Sequence, residues 1–332
     1  MKPLEAGDPR VVGPYRLTFR LGSGGMGRVF LGQSPAGRRV AVKVVREDLA
    51  SSSGFRERFR REAKLAMRAG GFWTAQVVDA DPDAAVPWIA SQYVDGPSLA
   101  ERVARHGPLD EEEVRRLTGG LAEALASFHK TGLVHRDLKP SNVLLVDDGP
   151  RVIDFGVSKA FETLETAGST DLTRAGTILG TPGFMSPEQA QGQPAGPPAD
   201  VFSLGSLLVY AATGNGPFGE GPSHTLLFRV VYEEPDLGAT PYGLRELALD
   251  CLRKAPEDRP SAAALVSRLA HQRPRSPIRA PRTEPPERSR GRTRRRAVRM
   301  RTRRRPPARS KGVRPARRPR RGRPRRTRGK RR

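Results

Sequence analysis

The chain has 332 residues, 36% of them hydrophobic, and a formal net charge of +25. That content suffices for a sizeable core; no apolar run reaches the length of a membrane-spanning helix, the single cysteine, Cys251, excludes an intrachain disulfide, and the five scattered His lack metal-ligand spacing. Residues 273–332 hold 29 Lys or Arg against two Glu, a net +27, so the first 272 residues carry −2 and read as an ordinary globular body with a polycation attached.

Residues 1–14 are expected to be an N-terminal extension. MKPLEAGDPR lacks the apolar stretch of a secretory signal, and with the lone thiol this predicts a cytoplasmic protein. Tyr15-Arg-Leu-Thr-Phe-Arg-Leu alternates as a strand, glycines follow, and Arg28-Val-Phe-Leu-Gly resumes a strand. After a Pro-Ala-Gly turn, Arg39-Val-Ala-Val-Lys-Val-Val is β-branched and alternating. Residues 55–69 change to helical spacing, and 76–79 and 88–94 read as two further strands. From Ser98 the helical period dominates: 110–130 places Val114, Leu117, Leu121, Leu125 and Phe128 on one face, opposite Glu111, Glu112, Arg115 and Arg116. Helices are predicted near 200–213, 223–233, 242–254 and 260–271, with Cys251 a small buried thiol among Leu247, Ala248 and Leu252. Strands first and helices after predict an α+β fold in two lobes. A small β-rich N-lobe with one long helix covers about 15–94, a mainly helical C-lobe about 98–272, and the hinge lies near 93–97. The Arg-, Pro- and Gly-rich residues 273–332 are predicted to be disordered, because they bury too little to repay ordering and their charges repel.

Three features carry chemistry. In LGSGGMGRV, Gly22, Gly24 and Gly27 stand at G-x-G-x-x-G spacing, which lets backbone amides approach an anion. A dinucleotide fingerprint would open a helix here. A strand follows instead, so the segment reads as a hairpin able to lie over phosphates, or as a plain glycine-rich turn. Lys43 sits between valines in VAVKVV, facing either solvent or a site. Glu62 shares a helix face with Phe55, Phe59 and Ala66, so it needs a cationic partner, and Lys43 is the available one; Glu57 lies well round the helix. Finally, LVHRDLKPSNVLL holds Asp137, Lys139 and Asn142 between apolar shoulders.

HRDLKPSN is followed twelve residues after Asn142 by Asp154-Phe155-Gly156, with LGSGGMGRV and VAVK before and MSPE at 185–188 behind. This ordered set resembles the serine/threonine protein kinase family over about residues 10–272. The wording FRREAKLAMR, GTPGFMSPEQA and PADVFSLG is most similar to its bacterial, eukaryotic-like branch. The resemblance implies a bilobal protein-kinase-like fold and transfer of the γ-phosphate of ATP to Ser/Thr hydroxyls of proteins. It implies Asp137 as the base for the incoming hydroxyl, Lys139 as a neutraliser of the transferred phosphoryl group, and Asn142 and Asp154 as ligands of Mg²⁺, with Mn²⁺ as a substitute. Lys43, held by Glu62, would grip the α/β-phosphates, with Gly22, Gly24 and Gly27 covering them. Val29 and Ala41 would lie above the adenine and Leu144 below it, with the Gln92 carbonyl and Val94 amide meeting its edge and Leu21 also among the nucleotide-binding residues. Ser91 falls where the family is usually bulkier, implying a roomier back pocket. His135 is expected to be a structural hydrogen-bonder.

The resemblance also implies regulation by phosphorylation of the loop 154–188. Thr173 is the first expected site and Thr170 the second, with Arg136 receiving the phosphate and Thr181 contacting Asp137 and Lys139. Glu188 and Arg259 are expected as a buried pair, and Asp200 as an acceptor of backbone amides near His135. Protein substrates, and a kinase dimer for trans-autophosphorylation, are the implied partners. The tail adds a weak polyanion contact, with nucleic acid or an anionic membrane, to the expectations, although Arg-, Pro- and Gly-rich runs are also what a GC-rich gene encodes in a shifted frame. The rival readings are a pseudokinase scaffold, a polyanion-binding protein acting through the tail, and a small-molecule phosphotransferase; the Thr-rich loop and SPE segment speak against the last.

Overall fold

The computed structural model describes residues 1–24, 27–50, 53–68, 71–154 and 182–271. The chain divides into Met1–Arg275 and Ser276–Arg332, and everything described lies in the first unit. Its N-terminal lobe is an antiparallel seven-stranded sheet. The strands are β1 (Lys2–Pro3), β2 (Val11–Val12), β3 (Tyr15–Gly24), β4 (Gly27–Gln33), β5 (Arg39–Val45), β6 (Val77–Asp81) and β7 (Trp88–Gln92). The order is β1-β3-β4-β5-β7-β6, with β2 also on β3. The short helix α1 (Glu47–Ala50) and the long helix α2 (Ser53–Arg68) leave β5 before β6.

Strand alternation divides this sheet into two faces. Leu17, Phe30, Val40, Val42, Trp88 and Ala90 form one small core with Tyr15, against which Leu4 and Val12 pack from the N-terminal segment. On the opposite face Val45 and Ile89 join Phe55, Phe59, Ala63 and Ala66 of α2 in the main core. The same face carries Val29, Ala41, Lys43 and Ser91, all half-buried. The strict period of 2 in RVAVKVV thus sends Val40 and Val42 one way and Ala41 and Lys43 the other.

The C-terminal lobe begins with α3 (Leu99–His106) and α4 (Glu111–Lys130), each opened by a capping box, Ser98 with Glu101 and Asp110 with Glu113. A hairpin of β8 (Val143–Val146) and β9 (Gly149–Val152) follows, then α5 (Pro187–Ala190), α6 (Pro197–Thr213), α7 (Ser223–Tyr232), α8 (Tyr242–Cys251) and α9 (Ala262–His271). Helix α6 is apolar nearly all round and sits inside the lobe, with Phe202, Leu204 and Leu207 fully buried. It starts on Pro197 and ends on Gly214 in the left-handed region. Cys251 is buried, and burial pushes its thiol up to about 12, so it packs rather than reacts.

Helix and strand boundaries differ from the sequence expectations by a few residues, because cap geometry and ladder pairing, not periodicity, set the ends. One difference is larger. Residues 1–14 join the sheet: Lys2 and Pro3 pair with Arg20 and Phe19, and Val11 and Val12 with Arg16 and Tyr15. Among the described residues no helix is long and apolar enough to cross a membrane.

Candidate active site

The β3–β4 hairpin carries the glycine segment, with Gly24 paired to Gly27 at its end. Gly27 is required on steric grounds. At φ 154° a Cβ would lie 2.0 Å from the Val44 carbonyl oxygen, so only glycine lets β4 run this close to β5. A register irregularity between Arg20 and Gly22 bends the strand just before the glycines, at Leu21.

Between the lobes, residues 93–98 are sewn to β8. Leu145 donates its amide to the Pro97 carbonyl at 2.8 Å, and Ser98 bridges Leu144. Gly96 leaves room for this approach, since a Cβ there would lie 2.4 Å from the Leu145 carbonyl oxygen. Half-buried Leu144 thereby lies on the C-lobe side, while Val29 and Ala41 line the sheet face on the other. Ser91 is opposite Ala41 and Val77 in the ladder, and Gln92 opposite Val40. Gln92 is exposed and Leu21 and Val94 half-buried.

The segment between α4 and β8 forms a small polar lattice. Lys139 Nζ donates to both Asp137 oxygens at 2.9 and 2.8 Å. Asn142 Nδ2 donates to the Asp137 carbonyl at 2.8 Å and to its carboxylate at 3.2 Å. The Asp137 amide donates to His135 Nδ1 at 3.2 Å, and His135 Nε2 bonds the Ile153 carbonyl at 3.0 Å, so the imidazole ties this segment to the one carrying Asp154. Beneath it, fully buried Asp200 accepts the His135 and Arg136 amides at 2.9 and 2.8 Å, and bonds His129 Nε2 at 2.8 Å. Gln189 Nε2 donates to the Arg136 carbonyl at 2.8 Å, so both backbone groups of Arg136 are held. Arg136 and Asp154 have φ of 62° and 59°, the positive values found at non-glycine residues among those described. Such backbone costs about 1–3 kcal/mol at each position and persists only where the surroundings over-determine it.

Lys43 Nζ lies 3.3 Å from Asp154 Oδ2. The ammonium is a point charge on a flexible stem. Glu62 is buried on the α2 face that carries Phe55, Phe59 and Ala66. Arg259 and Glu188 form a bidentate buried pair at 2.8 and 2.9 Å, and the same guanidinium donates to the Arg253, Pro198 and Lys254 carbonyls. Thr170, Thr173 and Thr181 lie outside the described residues. Sequence reasoning missed His129 and Gln189; only Gln189 left a signal, the Ser186-x-x-Gln189 capping box.

A family model described as the protein kinase domain matches residues 15–269. The chain belongs to the bacterial, eukaryotic-like serine/threonine protein kinase family. A probable serine/threonine-protein kinase of Thermomonospora curvata, PkwA, is 48% identical over 81% of this chain and 36% of its own length. AfsK of Streptomyces coelicolor, a serine/threonine-protein kinase, is 52% identical over 79% of this chain and 32% of its own. The chain thus spans about a third of these curated relatives. Among solved structures, the PknI kinase domain of Mycobacterium tuberculosis superposes with a TM-score of 0.63 at 26% identity, covering 81% of this chain and all of that one. The kinase fold and the family are therefore shared across both comparisons.

Proposed function

We propose that this kinase-family chain transfers the γ-phosphate of ATP to Ser or Thr hydroxyls of proteins, with Asp137 as base and Lys43, Lys139, Asn142 and Asp154 around one metal–nucleotide cleft. The observations that carry the reading are the Asp137 carboxylate, gripped by Lys139 and Asn142, and the Lys43 ammonium 3.3 Å from Asp154. The aliphatic faces of Val29, Ala41 and Leu144 suit a flat base, with the backbone at Gln92 and Val94 at its edge.

The donor set fits a divalent metal. Asn142 spends its amide nitrogen on Asp137, which leaves its oxygen as the group able to coordinate, and that oxygen accepts one long bond, 3.4 Å from Ser141. Among the described residues no group of three or more His, Cys, Asp or Glu is placed to hold an ion by itself. Two oxygen donors completed by phosphates and water are the usual surroundings of Mg²⁺. When bound, the metal neutralises charge on the phosphates. The chain's own residues do the rest: Asp137 orients the incoming hydroxyl and takes its proton as the O–P bond forms. Lys139 stands over the charge on the transferred group, Lys43 holds the nucleotide, and ADP leaves with the electron pair of the broken bond.

Autophosphorylation at Thr173 or Thr170, with Arg136 receiving the phosphate, and Thr181 as a Ser/Thr selector remain part of this reading, as do trans-acting dimers and a cytoplasmic setting. The +27 of residues 273–332 supports a weak polyanion contact. Filter binding of the full chain to a nucleic acid should weaken steeply with salt, and salt-independent or absent binding would remove that contact. Phosphate transfer to a generic Ser/Thr protein from MgATP tests the reading as a whole. An intact chain that binds MgATP and transfers nothing would favour the pseudokinase scaffold.

A further inference from the structure

The N-terminal segment does more than add two short strands. Asp8 is a carboxylate with no exposed side-chain surface, and four donors occupy its two oxygens. Oδ1 takes Arg20 Nη2 at 2.6 Å and Arg28 Nη1 at 2.9 Å; Oδ2 takes Arg20 Nε at 3.1 Å and the Glu5 amide at 2.8 Å. Arg20 also reaches Glu5 Oε1 at 2.7 Å, and Arg28 the Gly7 carbonyl at 3.4 Å. The two arginines come from different strands of the phosphate-facing hairpin. Arg20 stands on β3 immediately before the bend that precedes Gly22, and Arg28 on β4 immediately after Gly27. One buried carboxylate therefore spans the base of the glycine segment. Its own loop is tied on both sides, by the Lys2–Arg20 pairing and by the Leu17 amide on the Arg10 carbonyl at 2.9 Å.

A hairpin tip of glycines has little conformational preference of its own. Its pose over phosphates has to be imposed from the strands, and any ordering not imposed beforehand is subtracted from nucleotide affinity. On the β4 side the close approach of Gly27 to Val44 is one anchor. At this level the β3–β4 ladder pairs Ser23 with Arg28 and Gly24 with Gly27. We infer that Asp8 is a positioning residue for nucleotide binding: through Arg20 and Arg28 it pre-orders the strand ends at Gly22–Gly24 and Gly27 over the ATP phosphates. The inference rests on the kinase reading of that hairpin and extends it to a segment outside the family match, which begins at residue 15.

The test uses the full chain and the variants Asp8→Asn, Arg28→Gln and Arg28→Lys. Affinity for Mg²⁺ and a non-hydrolysable ATP analogue is read by calorimetry, KM for ATP and for a protein substrate by initial rates, and protection of residues 22–27 by hydrogen exchange. Arg28→Gln is the safer variant, since it leaves the bidentate Arg20–Asp8 pair in place. The expected result is analogue Kd and KM for ATP raised about five- to tenfold in Asp8→Asn and Arg28→Gln. Exchange at 22–27 rises with them, kcat and KM for the protein substrate stay within about twofold, and Arg28→Lys recovers most of the affinity. Unchanged nucleotide affinity and exchange, with only the melting temperature lowered, would overturn the inference and leave a merely structural ion cluster. Because the analogue Kd needs no turnover, the inference is judged even in a chain that transfers no phosphate, an outcome that would count against the kinase reading instead.

Discussion

Asp8 and Ser91 show how single side chains take their properties from their neighbours. The Arg20 guanidinium, against the opposing cost of burial and with help from the Glu5 amide and Arg28, holds the Asp8 carboxyl down from 3.8 to about 2. A carboxyl with a depressed folded pKa contributes stability that is fully present above its unfolded value and disappears as pH falls through the folded one. The melting temperature of the parent should therefore exceed that of Asp8→Asn by a constant margin from pH 5 to 8, and the margin should close between about pH 4 and 2. A pH-independent margin would show that Asp8 is not a buried anion. Ser91 faces the same side of the sheet as Ala41 and Lys43, and its small side chain is what a bulky adenine mimic would meet behind the ring. Ser91→Met should cut the affinity of an inhibitor with a large group behind the adenine about tenfold or more, the cost of overpacking a filled pocket. Equal affinity in the two proteins would mean that no such pocket opens at this position.

Among elements, α5 and the turn before α9 are joined by a buried bidentate ion pair, Arg259 with Glu188. Arg259 has no exposed side-chain surface and Glu188 is 6% exposed. Removing one partner strands the other without water. Arg259→Met should destabilise the C-lobe by about 3–5 kcal/mol in urea unfolding, while Arg259→Met with Glu188→Leu should recover part of the loss. If the double variant is no better than the single one, the carbonyl bonds of Arg259, not its ion pair, dominate. Caps act at a smaller scale: Asp110→Ala removes the acceptor for the Glu113 amide and should cost about 1 kcal/mol.

How much of this was legible in the sequence depends on the reach of each signal. RVAVKVV announced its two faces because a period of 2 is local. The spacing of HRDLKPSN sets Lys139 and Asn142 two and five residues from Asp137, a separation the turn can close by itself. Glu62 could be put on the core face of α2 from 100° steps. That Asp154 comes within 3.3 Å of Lys43 depends instead on how β5 and the end of β9 meet, and no period encodes that. The N-terminal segment reads as an extension in the sequence because two-residue strands carry no alternation. Asp8 also needs Arg20 and Arg28, twelve and twenty residues away, before its burial makes sense.

For the whole molecule the claim is that distant positions converge on one nucleotide. Lys43 from the sheet meets Asp154 from the C-lobe, and His135 links the Asp137 segment to the Ile153 carbonyl beside it. The most direct test is single-turnover transfer of labelled phosphate from MgATP to a Ser/Thr protein by the parent and by Asp137→Asn, with nucleotide affinity measured on the same samples. The account predicts a parent that transfers, and a variant that binds MgATP within a few-fold of the parent but transfers about 10²–10⁴ times more slowly. A variant that transfers at the parental rate would contradict it.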